Sequence, residues 1–527
     1  MLMSRRKKII IHLVLLSGLS ILTIILFFRF STEDSYITYR YAKNLVDGKG
    51  LVYNQGERFL GMTSPFYALI LALFGFLGFD IPSIGGLLSS ISLGLSLLLI
   101  YLLTLRKGYP SIGLLCGAFI LSCPWFLMTF GSETYFQLLM ITAAFYFYDQ
   151  KKYIPTASFC ALAFLARPDG IVAVAVILLD YLIAKKRFPL KESFLFIFLC
   201  APFFLFYYFN FNSFLPYTLD AKQAQYASGL WRSFLPGTLN FMRLLVKENM
   251  LLASFFALLI IGGLALLFSG RIWKLITCWV IFHIIGYILL RVSFYHWYSI
   301  PLIFLLMLMS AFSVRFITSL PRFFKENRLK KWKAKIFNQE INLSLVRFKE
   351  VDAYLKWSYR ILSLFLIGII MVALAGGIKS YYRTFKSLPF PKLQLYTEAG
   401  KWVSENTPPQ STVAFIEIGY FGYHAQRKII DLVGLITPGV SDHIRKRDFQ
   451  WAVMKYKPDY FIYNPEFKGW LEPIIEQQWF KVAYKKIMEL NHPGFPFTLM
   501  VFKKMLDFDS PPGLATDSLQ DESDSVI

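Results

Sequence analysis

The chain is poor in cysteine, histidine and acid. Five cysteines occur in 527 residues, and all of them (Cys116, Cys123, Cys160, Cys200, Cys278) lie in apolar stretches with no partner at metal-ligand spacing. They read as small packing residues, which excludes a disulfide scaffold. The six histidines form no zinc-type cluster with them. There is no glycine-rich phosphate loop, internal repeat or heptad run, so P-loop, solenoid and coiled-coil architectures are set aside. Asp and Glu number 33 against 55 Lys and Arg, a net charge of +22. In a soluble protein that excess would suggest nucleic acid. Here the bases sit in short loops between apolar runs, so retention beside anionic lipid explains them better.

Apolar and aromatic residues dominate: 56% of the chain is hydrophobic, with 53 Phe and a mean hydropathy of +0.50. That is the composition of a multi-pass membrane protein. A basic start (Arg5, Arg6, Lys7, Lys8) precedes an apolar run to Phe30 that is long enough to cross a bilayer and lacks a small-residue cleavage site. Further apolar segments are expected at about 65–79, 84–105, 110–128, 135–148, 154–165, 171–184, 194–211, 251–268, 272–290, 298–316 and 361–378. Placing the basic loops Arg106-Lys107, Lys151-Lys152, Lys185-Lys186-Arg187, Arg271 with Lys274, and 315–335 in the cytoplasm is self-consistent. It requires 65–79, short and carrying Gly75 and Gly78, to lie at the interface or re-enter. The expectation is about 11–13 transmembrane helices, with the N-terminus cytoplasmic.

Six segments then fall on the extracytoplasmic face: 31–64, 131–134, 167–170, 212–250, 292–297 and everything after about Lys379. The basic, partly amphipathic stretch 315–356 is expected to lie on the inner leaflet. Residues 380–505 read as a small α/β domain. Helices are expected at 395–406 and 448–456, and strands at 411–418, 428–432, 460–463, near 480–484 and near 498–502. Residues 506–527, with six acids and no base, are expected to be a disordered acidic tail.

The most telling motif follows the first apolar run. Glu33-Asp34 precedes Ser35-Tyr36-Ile37-Thr38-Tyr39-Arg40-Tyr41-Ala42-Lys43-Asn44, then Gly48-Lys49-Gly50 and Gly56-Glu57-Arg58. A pair of solvated loop acids is the plain account of the dipeptide alone. The whole segment, however, resembles the first extracytoplasmic loop of the GT-C membrane glycosyltransferases, most closely the branch of bacterial arabinofuranosyltransferases and relatives of the protein mannosyltransferases. Gly131-Ser132-Glu133-Thr134, Ala166-Arg167-Pro168-Asp169-Gly170 and Leu215-Pro216-Tyr217-Thr218 with Ala221-Lys222 resemble later elements of the same family, Tyr217 replacing a usual Asn. Tyr295-His296-Trp297-Tyr298 and, in the α/β domain, 418–423 and 430–435 match more loosely.

The resemblance implies an α-helical polytopic protein (residues 1–379) with a catalytic first outer loop. Its activity would be sugar transfer from a polyprenyl-phosphate donor to a hydroxyl of an envelope glycan, lipid or protein, at the bacterial cell membrane and without nucleic acid. The acceptor hydroxyl then needs a general base, which an ionised carboxylate can supply, while phosphate leaves without an acid. In family terms Asp34 takes that role, with Glu33 beside it and Glu133 as a second acid. Glu-Asp stands where many relatives have Asp-Asp, which leaves the division of labour within the pair open. Arg40, Arg58, Arg167, Lys222 and Arg232 are candidates for holding phosphate, with Asp169 and His296 as further substrate contacts. For Arg167 an internal pair with Asp169 competes, for Lys222 and Arg232 a headgroup contact, and for Glu133 a helix-dipole role. A divalent metal on Glu33, Asp34 and Glu133 is chemically open through hard oxygen ligands, and none is assigned. Rival readings are a transporter or flippase of lipid-linked sugars, which should carry mid-helix ionisable residues, and a non-catalytic envelope-assembly subunit.

Overall fold

The structure, a computed structural model, describes residues 5–121, 123–248, 262–325 and 390–508, with individual positions in 357–388. The apolar segments become helices α1 (Arg5–Phe27), α2 (Ser35–Val46), α3 (Pro65–Phe76), α4 (Ile81–Arg106), α5 (Pro110–Leu121), α6 (Thr134–Asp149), α7 (Tyr153–Ala166), α8 (Ile171–Lys185) and α9 (Leu190–Phe211). Then come α10 (Thr218–Ser228), α11 (Phe234–Glu248), α12 (Arg271–Leu289) and α13 (Ile300–Lys325). Among the described residues five helices are long and apolar enough to cross a membrane: Ile9–Phe27, Ile81–Arg106, Leu190–Phe211, Arg271–Leu289 and His296–Val314. The chain is a multi-pass membrane protein. The expected segment 361–378, the inner-leaflet stretch 326–356 and the tail from 509 lie outside the described residues, as does 251–268 before position 262.

Local chemistry sets the helix ends. Ser64 accepts from the Tyr67 amide at 3.3 Å, with Pro65 opening α3, and Asp80 caps α4 through the Ser83 amide at 3.0 Å. At 12 residues α3 is about 18 Å long, too short to span, and its end leaves Leu73, Phe76, Leu77 and Phe79 exposed. The expected span 110–128 is instead broken: α5 stops at Leu121 and a 3-10 turn, Pro124–Thr129, follows, since Pro124 has no amide to continue the ladder.

The basic loops gather at one end of the bundle. Lys107 pairs with Asp149 at 2.5 Å. Arg271 pairs with Asp180 at 2.7 Å, so the acid nearest to a mid-helix position is tied to that end, with Tyr148 donating to it at 2.6 Å.

The C-terminal unit carries one sheet: β1 (Thr412–Phe415), β2 (Lys428–Asp431), β3 (Tyr460–Tyr463), β4 (Tyr484–His492) and β5 (Phe495–Lys504), in the order β2-β1-β3-β5-β4. β2, β1 and β3 are parallel, and β5 and β4 add antiparallel. Helix α14 (Pro391–Asn406) ends at Thr407 as the Pro408-Pro409 stop requires. Of residues 480–484, expected as a strand, 480–483 form the end of a helix (Gln478–Ala483) and the strand, β4, begins only at Tyr484. Phe480 and Ala483 are buried three residues apart on one side, a helical spacing that a short apolar run conceals.

This unit docks on the 31–64 loop through fixed contacts. Arg40 donates to the carbonyls of Tyr53 at 2.9 Å, Gly422 at 2.6 Å and Arg427 at 2.6 Å. Asn54 bonds both the amide and the carbonyl of Ile429 at 2.9 Å, acting as one extra residue on the β2 edge. Tyr53 donates to the Ile418 carbonyl at 2.5 Å, and Tyr36 stacks on Tyr420 at 3.8 Å. A Cβ at Gly419 or Gly422 would collide with Glu33 or the Tyr53 hydroxyl. These two glycines exist for close approach.

Candidate functional site

A cavity of about 230 Å³ opens where the first loop, the heads of α6 and α10, the α7 end and the sheet unit meet. Its lining includes Glu33, Asp34, Glu133, Arg167, Lys222, Gln225, Tyr295 and, from the sheet unit, Glu417. Six stretches distant in sequence, the turn carrying Tyr295 and Trp297 among them, therefore share one side of the bundle, the grouping that the charge pattern assigned to one face.

Asp34 is the N-cap residue of α2, yet its side chain makes no capping bond and no salt bridge among the described residues. Its carboxylate is left to the cavity. Glu33 is gripped from above: the Gly419 amide donates to its Oε1 at 2.5 Å. Burial, then the charges of Glu417 and Asp34, hold the Glu33 carboxyl well above its ordinary range, outweighing the Gly419 bond. Glu417 is raised too, chiefly by burial. Lys392 sits behind it, 2.9 Å from Glu417 and 2.7 Å from Glu466. Of the three converging carboxyls, Glu33 and Glu417 are both raised, which favours their protonated forms.

The cations stand on the membrane-helix side. Lys222, buried near the middle of α10, has its ammonium 5.1 Å from the rings of Tyr295 and Trp297 and 5.4 Å from that of Tyr298. Arg167 follows α7 in extended backbone, where Pro168 bars further helix. It pairs with Glu133 at 2.7 Å and Asp169 at 3.4 Å. Burial alone would raise the Asp169 carboxyl, but Arg167, with Tyr287 and Gln137 donating, brings it down to about 2.

The remaining candidates lie elsewhere. Arg40 is buried outside the cavity with its donors committed to backbone carbonyls, so it positions the loop and holds no substrate. Arg58 and Arg232 are exposed and line no part of the cavity. Asp169 backs Arg167 without lining the cavity, and His296 meets the Met128 carbonyl at 2.5 Å. Among the described residues no group of three or more His, Cys, Asp or Glu is arranged to hold a metal ion. Glu133 is instead committed to Arg167.

Sequence reasoning missed Glu417, Gln225, Trp231, Phe467 and Trp470, all of which line the cavity. Glu417 alone had a signal: a single acid between Ile416 and Ile418 at a strand end, next to a glycine-aromatic turn.

With this geometry in view, the chain is similar to the solved structure of ArnT from Cupriavidus metallidurans bound to undecaprenyl phosphate. The TM-score is 0.57 at 11% identity, covering 96% of this chain and 100% of that one. It is also similar to the archaeal oligosaccharyltransferase AglB from Archaeoglobus fulgidus in complex with an inhibitory peptide and a dolichol-phosphate: TM-score 0.54, 12% identity, 98% of this chain and 76% of that one. The chain has the GT-C fold. Residues 388–502 match a family described as a domain of unknown function (DUF8728). No curated protein sequence matches the chain.

Proposed function

We propose that the protein is a membrane glycosyltransferase that moves a sugar from a polyprenyl-phosphate donor to a hydroxyl acceptor at the outer face of a bacterial cell membrane. The observation that carries this reading is an acid without a salt bridge, Asp34, sharing one cavity with the cations Lys222 and Arg167. The fold adds support, since the ArnT and AglB structures it resembles hold undecaprenyl phosphate and dolichol-phosphate.

In the reaction the acceptor oxygen forms a bond to the anomeric carbon as the bond from that carbon to the phosphate oxygen breaks. Polyprenyl phosphate leaves with the electron pair, and the hydroxyl proton passes to Asp34. Glu33, whose raised carboxyl favours the protonated form, stands beside Asp34 in the acid pair. Lys222 faces the departing phosphate from its aromatic cage. Arg167, neutralised by two acids, contributes one edge of a fixed guanidinium.

The test is transfer by the full chain in nanodiscs. Polyprenyl phosphate should be released from a lipid-linked sugar, whereas a nucleotide sugar should give no product. Turnover with the nucleotide sugar alone would overturn the reading.

A further inference from the structure

The cavity is divided by charge. Both of its lining cations, Arg167 and Lys222, come from the membrane-helix side. The sheet unit supplies aliphatic side chains, the rings of Phe467 and Trp470, and one carboxylate, Glu417. Phe467 and Trp470 lie 5.5 Å apart, and Trp231 meets Trp470 at 4.3 Å to continue the aromatic edge. Both residues of the sheet unit keep part of their surface open. Lys392 engages Glu417 through Oε1, which leaves acceptor capacity on the carboxylate.

That wall suits a particular chemistry. With Glu33, Asp34 and Glu417 converging and no lining cation on that side, an anionic group would be repelled. A hydrocarbon chain would strand the Glu417 carboxylate. A serine or threonine side chain offers one hydroxyl and no flat face. A neutral sugar ring offers vicinal hydroxyls to a carboxylate and a C–H face to aromatic rings.

Resting on the transferase reading above, we infer that the sheet-unit wall is the acceptor subsite. There Glu417 accepts hydroxyls of an uncharged sugar ring, Phe467 and Trp470 cover its apolar face, and Lys392 positions Glu417. The donor phosphate and the acceptor thus enter from opposite walls and meet at Asp34.

The experiment uses the full chain in nanodiscs, with the lipid-linked sugar pool from cells grown on tritiated glucose as donor and envelope from a strain lacking the gene as acceptor. Two rates are followed: transfer to envelope, and acceptor-independent release of polyprenyl phosphate to water. Glu417→Gln should raise the KM for envelope acceptor about ten- to a hundredfold, the loss expected for a hydrogen bond to a charged group, a larger fold-change than it makes in release to water. Phe467→Leu, which keeps apolar volume and removes the ring, should raise the same KM by less. Lys392→Met should mimic Glu417→Gln, and Lys392→Arg should restore it.

The tritium should appear in protease-resistant, periodate-sensitive material. If Glu417→Gln leaves KM unchanged, or lowers transfer and release equally, the subsite assignment is wrong. Label in protease-released peptides or in the organic extract overturns the sugar-ring acceptor in favour of protein or lipid. If the wild-type protein neither transfers nor releases, the transferase reading falls first.

Discussion

Two acid clusters with opposite electrostatics stand at the cavity wall and behind it. In one, Arg167 stands between Glu133 and Asp169, and Gln137 and Tyr287 complete the hydrogen bonding. Every charge there has a partner, and Asp169 is driven down to about 2. In the other, Glu33, Asp34 and Glu417 converge with a single cation, Lys392, set behind one of them. The first arrangement makes a rigid wall. The second raises the Glu33 and Glu417 carboxyls and leaves Asp34 without a salt bridge among the described residues. Compensation of charge, more than the presence of acid, separates scaffold from chemistry.

The sharpest way to break this contrast is Asp34→Asn, which keeps size and most hydrogen bonding but cannot take a proton. Transfer should fall about 10²–10⁴-fold with thermal stability preserved, read by product formation alongside a melting curve. Equal loss of both would make Asp34 part of the scaffold.

Arg167→Met should show the reverse emphasis. Removing the cation strands Glu133 and Asp169, at a cost of about 3–5 kcal/mol of stability, seen as a lower apparent melting midpoint in detergent. Its pH signature follows from the sign of the shift. Because the folded Asp169 value lies below its ordinary 3.8, its stabilisation is present above that range and is lost as pH falls toward 2.

Glu33 has the opposite sign. Its folded value is raised, so the protonated form contributes stability that is full below the ordinary 4.5 and lost as pH rises through the raised value. Activity should therefore carry an alkaline limb that Glu33→Gln removes, with a smaller drop in rate than Asp34→Asn. A pH–rate profile of both proteins checks this, and an unchanged limb in Glu33→Gln would assign it to another group. The smallest expected effect is Arg58→Ala: an exposed residue outside the cavity should change stability by less than about 0.5 kcal/mol and leave transfer intact.

Much of this was legible in the chain itself. Apolar runs of bilayer length, basic residues in every second loop and the acid pair after the first run point to a multi-pass helical protein and to one end at which its acids gather, because burial length and loop charge are local properties. Asp34, Glu133, Arg167 and Lys222 could be picked out on motif alone. Of their partners, only Asp169 beside Arg167 was named from the sequence. Arg40 and Arg167 are both arginines in the matched elements, yet one is spent on the Tyr53 carbonyl and on two carbonyls of a unit nearly four hundred residues away, and the other on Glu133 in the cavity wall and Asp169 behind it.

The composition and order of residues thus determined which groups are available and on which side of the bundle they lie. Only the tertiary structure decided that Glu417 joins the pair, that Lys392 stands behind it, and that burial with these charges raises the Glu33 carboxyl. A carboxyl's ionisation depends on burial and on charges within a few ångströms, and sequence distance carries no information about either.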